Sequence, residues 1–432
     1  MKRLIMMLAV LAATLCTTAQ TARQDFAKDI HYSASNYLAY PGPRQAKLTP
    51  APKVKKPFYI GHYGRHGSRY LINPKQYDNP YRVLQKADSL GKLTPLGRDV
   101  LRRLKLIREE AAGRYGELTQ LGAEQHRQIA RRMFERFPEV FEGEARIDAK
   151  STVVIRCILS MENALQQLVA LNPKLRIRHD ASEHDMWYMN YQDQLLRSQA
   201  MDSAVQAKYR AYADRYENND RLMTQLFNDT AYVRRHVNPI RLNVDLFKIA
   251  SNIQSTELRH TLTLYDLFND DEVYCNWKKE NAWWYIAYGP STVSGGNQPY
   301  TQRNLLRRII EEADSCLRLY KPGATLRFGH ETMVMPLTCL LNLNGFGYAT
   351  DDFDSLERHG WINYRVFPMA ANLQFVFYRR DVNDKDVLVK VLLNENEATL
   401  PLKSNIAPYY RWKDVREFYL AKLDAYELTR AQ

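Results

Sequence analysis

A short apolar run followed by closely spaced glycines is the feature that most constrains how this chain can fold. The run Pro57-Phe58-Tyr59-Ile60 combines aromatic and β-branched side chains, which is typical of a buried strand. Glycines at positions 61, 64 and 67 follow the run and predict that the strand ends there in a tight turn. Because the turn contains Arg65-His66-Gly67-Ser68-Arg69, we expect it to place a histidine between two arginines at one edge of a sheet.

Two helices are predicted after this turn. Thr94-Pro95 places a capping hydroxyl before a proline, and apolar residues then keep to one helical face as far as Gly113. Thr119 caps a second helix, which Pro138 ends. The apolar face of each helix needs a partner, so we expect both helices to cover a sheet.

Further strands are indicated on both sides of a long central segment. Residues 153–155, Val-Val-Ile, predict a buried strand that leads to Arg156, and a helix is expected from about residue 160 to residue 171. Strand-like patterns return late in the chain, at residues 324–328, 373–378 and 387–393. Alternation of strands and helices predicts an α/β sandwich that an insertion interrupts.

The central segment differs in character from its flanks. Residues 180–288 are rich in tyrosine, asparagine and charged residues at helical spacing, which predicts a mostly helical cap. The α/β core is then expected to comprise residues 20–179 together with residues 289–432. Residues 21–56 are interpreted as an irregular lead-in that wraps on this core.

The first residues have the pattern of a secretory signal peptide. Basic residues precede an apolar run over residues 4–15, and small or polar residues follow as far as Ala19. Cleavage near Ala19 predicts an exported protein, periplasmic or extracellular, without residues 1–19. Cys16 would be the acylated residue of a lipoprotein, but Leu15 before it is a poor match for such processing. Stable membrane insertion is not expected, because no later apolar run approaches the ~20 residues of a membrane helix.

Composition narrows the class of protein and of partner. Hydrophobic residues make up 45% and charged residues 25% of the 432 residues, which is ordinary for a globular protein and excludes a disordered or fibrous class. The formal net charge of +13 favours an anionic partner. Nucleic acid is not expected, because no block of lysine and arginine is interleaved with aromatic residues. The oligomeric state is left open.

No metal site is predicted. The four cysteines after the cleavage point match no zinc spacing and permit either one or two disulfides or unpaired thiols. They are Cys157, Cys275, Cys316 and Cys339. His62 and His66 have the spacing of ligands on a helix, but the glycines around them argue against a helix.

The segment around His66 suits phosphoryl transfer. An imidazole nitrogen is a nucleophile, and the guanidinium groups of Arg65 and Arg69 can bind phosphate oxygens through paired hydrogen bonds. Gly64 and Gly67 would let the backbone turn and direct its N–H groups toward the anion. Taken alone, the segment is also compatible with surface arginines beside a turn histidine.

At this point the chain resembles the histidine acid phosphatase family, branch 2 of the histidine phosphatase superfamily. The signature loop of the family is similar to residues 65–70, and its helix start is similar to residues 118–122. Residues 151–168 and 328–337 resemble its later phosphate-binding and catalytic segments. Residues 391–395 are similar to a strand of the multiple inositol polyphosphate phosphatase group. The resemblance implies a three-layer α/β sandwich of the phosphoglycerate mutase type with a helical cap.

The resemblance also implies roles for individual residues. His66 would attack phosphorus and become a phosphohistidine, with no cofactor and no metal. Arg65, Arg69, Arg156 and His330 would bind the phosphate and stabilise the charge of the transition state.

The proton donor is where the chain departs from the family pattern. Glu331 is the candidate, and it directly follows His330, as the aspartate does in acid phosphatases and phytases. Inositol polyphosphate phosphatases have their acid one residue later, where this chain has Thr332. Both the acid and the subgroup therefore remain open at this point.

Three functions follow from these observations. The first is an exported phosphomonoesterase acting on inositol polyphosphates such as phytate. The second is an acid phosphatase of broad specificity on sugar phosphates and other monoesters. The third, from another class, is a catalytically weak protein that binds anions and has lost its proton donor.

Overall fold

The computed structural model describes residues 21–431, and the predicted signal peptide lies outside them. Its strands are β1 (Lys56–Arg65), β2 (Arg146–Ser151), β3 (Arg176–Asp180), β4 (Gly323–Gly329), β5 (Asn372–Arg379), β6 (Leu388–Leu393), β7 (Asn396–Ala398) and β8 (Tyr410–Arg411). They form one sheet in the order β3-β2-β4-β1-β5-β6-β7, with β8 paired to β6. Since β1 pairs in parallel with β4 and antiparallel with β5, it lies in the middle of the sheet.

Helices make up much of the remaining described chain. They are α1 (Ala22–Lys28), α2 (Lys75–Ser89), α3 (Pro95–Ala111), α4 (Gln120–Arg136), α5 (Ile155–Leu171), α6 (Met186–Met189), α7 (Gln194–Ala200), α8 (Ser203–Asp214), α9 (Asp220–Leu226), α10 (Thr230–His236), α11 (Pro239–Ile253), α12 (Asp270–Tyr288), α13 (Arg303–Cys316), α14 (Glu331–Leu341) and α15 (Trp412–Ala431). Both helices predicted from Thr94 and Thr119 are present, and each threonine side chain accepts a backbone N–H bond as a cap.

The sheet has helices on both faces. Alternate side chains of a strand point to opposite faces, and Tyr59 and Tyr63 of β1 lie in one hydrophobic cluster with residues of α12–α15. Ile60 lies in another cluster, on the opposite face, with Met133 of α4 and Leu165 of α5. The predicted α/β sandwich is therefore confirmed.

The chain between β3 and β4 is mostly helical, as expected for the cap. The cap boundaries at residues 180 and 288 stay predictions. The expectation that α3 covers the sheet is wrong, because its Val100 and Leu104 pack in a cluster with Leu222 and Leu246 of the cap helices. An apolar stripe shows that one face of a helix is buried, but it does not identify the partner.

The end of β1 differs from its prediction. The strand runs through Gly61 and Gly64 as far as Arg65, and neither these glycines nor Gly67 has a positive φ. Gly67 instead lets two backbone segments come close together, because an added Cβ would lie 2.4 Å from the carbonyl oxygen of Gly122. The glycine therefore brings the segment after β1 against the start of α4.

The strand predicted at residues 153–155 is also wrong. The strand in this region is β2, and α5 already begins at Ile155, which is 71% exposed. Arg156 consequently lies in the first turn of a helix rather than at a strand end. Three consecutive apolar residues are too few to distinguish a buried strand from an exposed helix start.

The lead-in is more ordered than predicted. Thr21 and Gln24 form a capping box on α1, and a 3-10 helix follows over Ile30–Tyr37. Tyr364 of the core donates its hydroxyl hydrogen to Asp25 over 2.6 Å. The segment is therefore attached to the body of the protein by specific hydrogen bonds.

The described residues contain no membrane-spanning helix and no disulfide. In residues 21–431, no helix combines the length and the apolarity needed to span a bilayer. The four cysteines of this part of the chain are all free thiols, which decides between the two alternatives left open above.

The close approach at Gly67 leads to a prediction about stability. Gly67→Ala should lower the free energy of unfolding by about 1–3 kcal/mol, because its Cβ would displace backbone of α4. Gly61→Ala is the matched control, since the nearest atom to a Cβ there lies at an ordinary 3.6 Å. Urea unfolding measures both, and equal losses would contradict this explanation.

Candidate active site

Two histidines meet where the parallel strands β1 and β4 end. Arg65 lies opposite Gly329 in the register, so the residues that follow them, His66 and His330, leave the sheet side by side. The backbone N–H of His66 donates to the carbonyl of Gly329 over 2.9 Å, and the two ring centroids are 5.8 Å apart. The pairing of two strands thus joins histidines that are far apart in the sequence.

The His66 ring is held with one nitrogen free. Its Nδ1 lies 2.9 Å from the carbonyl oxygen of Gly67, and because a carbonyl only accepts, Nδ1 carries the proton. The other nitrogen, Nε2, is buried and has no hydrogen-bond partner. Burial, and then Arg65 and Arg156, hold the pKa of His66 well below its usual range, despite the opposing effect of Glu331. The ring is therefore neutral and keeps a lone pair on Nε2.

The backbone after His66 is fixed by side chains of α4 and α5. The N–H of Gly67 donates to Ser160 Oγ over 3.1 Å. The N–H of Ser68 donates to Gln125 Oε1 over 2.8 Å, and Gln125 Nε2 donates in return to Ser68 Oγ over 3.0 Å. The expectation that these N–H groups bind the anion is therefore wrong, because the protein itself uses them. Gln125 is a residue that the sequence analysis missed.

Arg65 is fully buried beside His66. Its Nη1 donates to the backbone carbonyls of Asn36 and Phe367 over 2.6 and 2.8 Å. Its Nη2 has no hydrogen-bond partner, and its Nε makes an ion pair with Glu331. Burial lowers the pKa of Arg65 to about 10, with Arg69 acting in the same direction and Glu331 opposing. The side chain is still a cation at neutral pH and has donors to offer to an anion.

Arg69 and Arg156 complete a group of three arginines. Arg69 Nη1 donates to the carbonyl of Tyr70 over 2.9 Å, and its guanidinium carbon lies 5.6 Å from the ring centroid of Tyr37. Burial and then Arg69 lower the pKa of Arg156. The Nε atoms of both arginines are buried without a partner. The structure therefore brings together the three arginines that the sequence analysis selected.

His330 precedes α14 as its N-cap. Its Nε2 lies 3.2 Å from the hydroxyl oxygen of Thr152, and the thiol of Cys157 donates to the carbonyl of Gly329 beside it. Burial, and then Arg156 among the arginines, lowers the pKa of His330 to about 4, although Glu331 opposes this. His330 is therefore a neutral ring at the edge of the arginine group.

Glu331 reaches the centre of the site from the first turn of α14. Its Oε2 lies 3.0 Å from Arg65 Nε and 3.6 Å from His66 Nε2. Burial disfavours ionisation of Glu331, but Arg65, and then His66 and Arg69, overcome it and hold its pKa well below the usual range. The helix N-terminus also favours a carboxylate here. The side chain one residue after His330 is thus an anion paired with Arg65.

The arrangement fits an anion better than a metal ion. Among the described residues, donor atoms of His66, His330 and Glu331 lie within 4.8 Å of one another, close enough to hold an ion. However, the positive charges of Arg65, Arg69 and Arg156 all lower the pKa of His330, and the same charges would repel a divalent cation. His62 cannot bind a metal ion together with His66, because a rise of four residues along extended chain separates the two by roughly 13 Å.

A cleft of about 780 Å³ adjoins the arginine group. It lies between the N-terminal turns of α4 and α5, and Arg156 is one of its lining residues. Val153, Ile155 and Leu159 present exposed apolar side chains to it. His66 does not line the cleft, so Arg156 is the point at which the cleft meets the histidine site.

Comparison with known proteins agrees with this geometry. Residues 64–394 match the family model of the histidine phosphatase superfamily (branch 2). The chain is also 26% identical over 322 residues to multiple inositol polyphosphate phosphatase 1 of Gallus gallus. That alignment covers 66% of this chain and 66% of the Gallus gallus protein, just under two thirds of its length.

Solved structures share the fold. A multiple inositol polyphosphate phosphatase of Bifidobacterium longum, in complex with inositol hexasulfate, has a TM-score of 0.75 at 19% identity, covering 89% of this chain and 97% of that chain. A phytase from D. castellii has a TM-score of 0.64 at 14% identity, covering 91% of this chain and 85% of that chain. These likenesses establish the fold, and the match over residues 64–394 establishes that the chain belongs to branch 2 of the histidine phosphatase superfamily.

Proposed function

We propose that this protein is a phosphomonoesterase that hydrolyses inositol polyphosphates, phytate among them, through a phosphohistidine on His66. The observation that carries the proposal is the free, unprotonated Nε2 of His66 beside Arg65, Arg69 and Arg156. The names of the similar proteins, an inositol polyphosphate phosphatase and a phytase, support this substrate class.

In the first step, the arginines bind a phosphate monoester of the substrate. Nε2 of His66 attacks phosphorus, a P–N bond forms, and the P–O bond to the inositol oxygen breaks. The proton on Nδ1 stays on the ring, where the Gly67 carbonyl accepts its hydrogen bond and stabilises the cationic phosphohistidine. The guanidinium groups stabilise the charge on the equatorial phosphate oxygens.

The departing inositol oxygen needs a proton, and Glu331 is the group that we assign to supply it. In the free protein Glu331 is ionised and paired with Arg65. A phosphate dianion competes for Arg65 and adds negative charge, and both effects raise the pKa of the carboxyl group. Glu331 can then hold a proton, transfer it to the leaving oxygen, and act as a base toward the water that cleaves the P–N bond.

A second candidate function is an acid phosphatase of broad specificity. It is favoured by the position of Glu331 directly after His330, and by the apolar side chains in the cleft beside Arg156. Such a cleft would accept leaving groups that carry no further phosphate. Under this alternative the chemistry at His66 is the same, and only the preferred alcohol differs.

The substrate class and the nucleophile can be tested together. Phosphate release from phytate should exceed release from a small sugar phosphate at equal concentration, because several phosphates can use the basic site. His66→Ala should abolish turnover of both, and His179→Ala, at an exposed histidine, is the control. Wild-type turnover of phytate by His66→Ala would refute the proposed nucleophile, whereas equal release from both substrates would favour broad specificity.

The proton donor can be tested with leaving groups of different quality. Glu331→Gln should lower kcat on phytate by about 100-fold, since an alkoxide leaves poorly without protonation. Turnover of an activated aryl phosphate should fall much less. Thr332→Val, at the position of the acid in the related group, should leave both rates close to wild type. Absence of aryl phosphate hydrolysis by the wild-type protein would instead support a protein that only binds anions.

We also propose that the protein acts outside the cytoplasm, in the periplasm or the medium. The support is the pattern of basic, apolar and small residues up to Ala19. The mass of the protein recovered from the periplasmic or extracellular fraction should correspond to a chain that starts near residue 20. Recovery of the uncleaved chain in the cytoplasm would contradict export.

A further inference from the structure

The orientation of the Arg65 side chain is set by two backbone carbonyls from distant parts of the chain. Both accept hydrogen bonds from Nη1, and they belong to Asn36 of the lead-in and Phe367 of the segment before β5. With Nη1 occupied in this way, the nitrogens that can turn to a phosphate are Nη2, which has no partner, and Nε, which is ion-paired with Glu331 in the free protein. The positions of these two carbonyls therefore decide which donors of Arg65 face the phosphate site.

One buried side chain holds both carbonyl-bearing segments. Asn363 is 0% exposed, and its Nδ2 donates to Ser35 Oγ over 2.8 Å, next to the carbonyl of Asn36. Its backbone carbonyl accepts the N–H of Phe367 over 3.3 Å, which closes the turn that presents the Phe367 carbonyl. Asn363 is thus bonded to each of the two segments that hold Arg65.

Asn363 is itself fixed by the cap. The indole Nε1 of Trp277 donates to its Oδ1 over 3.0 Å, and its backbone N–H donates to Asn281 Oδ1 over 2.9 Å. Both partners belong to α12 and are buried. With the bonds to Ser35 and Phe367, all four polar groups of Asn363 are used, so the residue has one defined orientation.

The backbone conformation of the lead-in at Ser35 is energetically unfavourable and needs hydrogen bonds to stabilise it. Ser35 has φ 55° and ψ −123°, a region that non-glycine residues rarely occupy. The hydroxyl oxygen of Ser35 accepts a hydrogen bond from the Asn363 side chain, which helps to hold this conformation. Strained backbone persists when neighbouring groups hold it in place. Here the strained residue comes directly before Asn36, whose carbonyl accepts a hydrogen bond from Arg65.

We propose that Asn363 is a positioning residue, which acts on the reaction by aligning Arg65 for phosphate binding through Ser35 and the turn at Phe367. The inference rests on the proposed function, because it takes Arg65 to be a phosphate ligand. It adds to that function a route by which α12 of the cap determines the geometry of a group in the α/β core. Asn363 does not contact the phosphate in this scheme.

The experiment measures the affinity for inorganic phosphate by isothermal titration calorimetry. Asn363→Ser should weaken phosphate binding by about tenfold, the size expected when a hydrogen bond of a charged group is misaligned. Ser35→Ala removes only one oxygen and should weaken it by about threefold. Because binding needs no turnover, failure of the wild-type protein to hydrolyse phytate would count against the proposed function and leave this comparison intact.

The same two substitutions in an Arg65→Lys background separate positioning from a general structural role. Lysine has a single side-chain nitrogen, so it cannot bind both carbonyls and also offer further donors to phosphate. In this background, each added substitution should therefore change the phosphate affinity by less than about twofold. Asn243→Ser is the matched control, because Asn243 is a buried asparagine bonded to Asn276 within the cap. That variant should bind phosphate like the wild type.

The possible results divide clearly. Losses that occur with Arg65 present and vanish with Arg65→Lys support the proposal. Losses of equal size in both backgrounds, unchanged affinity in both variants, or the same loss in Asn243→Ser would overturn it. If Asn363→Ser does not fold, Ser35→Ala decides the question by the same comparison.

Discussion

The repulsion between three neighbouring guanidinium groups is the constraint on which the site depends. Arg65 and Arg69 are buried and Arg156 is partly buried beside two neutral histidines. Charges of one sign held together with little water are unfavourable. Backbone carbonyls, the ring of Tyr37 and the carboxylate of Glu331 offset part of this cost. Donors that have no partner remain on each arginine. In the proposed function, an arriving phosphate would supply the missing negative charge and would form a well-compensated complex.

The rigid parts of the fold surround this unfavourable cluster. Parallel pairing of β1 with β4 sets the distance between His66 and His330, and the buried contact of Gly67 with Gly122 fixes the connecting backbone against α4. The N–H groups of that backbone are bonded to Gln125 and Ser160 and are not available to a ligand. In the proposed function, side chains alone would therefore bind the phosphate, while the backbone keeps them in place.

Glu331 connects the resting state with the reaction. As an anion it stabilises Arg65 in the free protein, and it lies 3.6 Å from the nitrogen that would attack phosphorus. In the proposed reaction, a substrate phosphate would displace Glu331 from Arg65, and that displacement would make Glu331 an acid. One carboxyl group can in this way compensate charge before binding and supply a proton afterwards. The neighbouring Thr332 has no group that could do either.

The sequence by itself determined the class of fold, the strands at β1, β4, β5 and β6, and the residues that carry charge and nucleophilicity. These properties are local: apolar periodicity and residue chemistry are present in the chain before it folds. The tertiary structure decided what depends on distant contacts. It placed Arg156 at a helix start, assigned α3 to the cap side, and showed the four cysteine thiols within residues 21–431 to be free. Only packing could reveal that the backbone carbonyls of Asn36 and Phe367 hold Arg65, because every residue has a backbone carbonyl and the sequence does not show which of them will face an arginine.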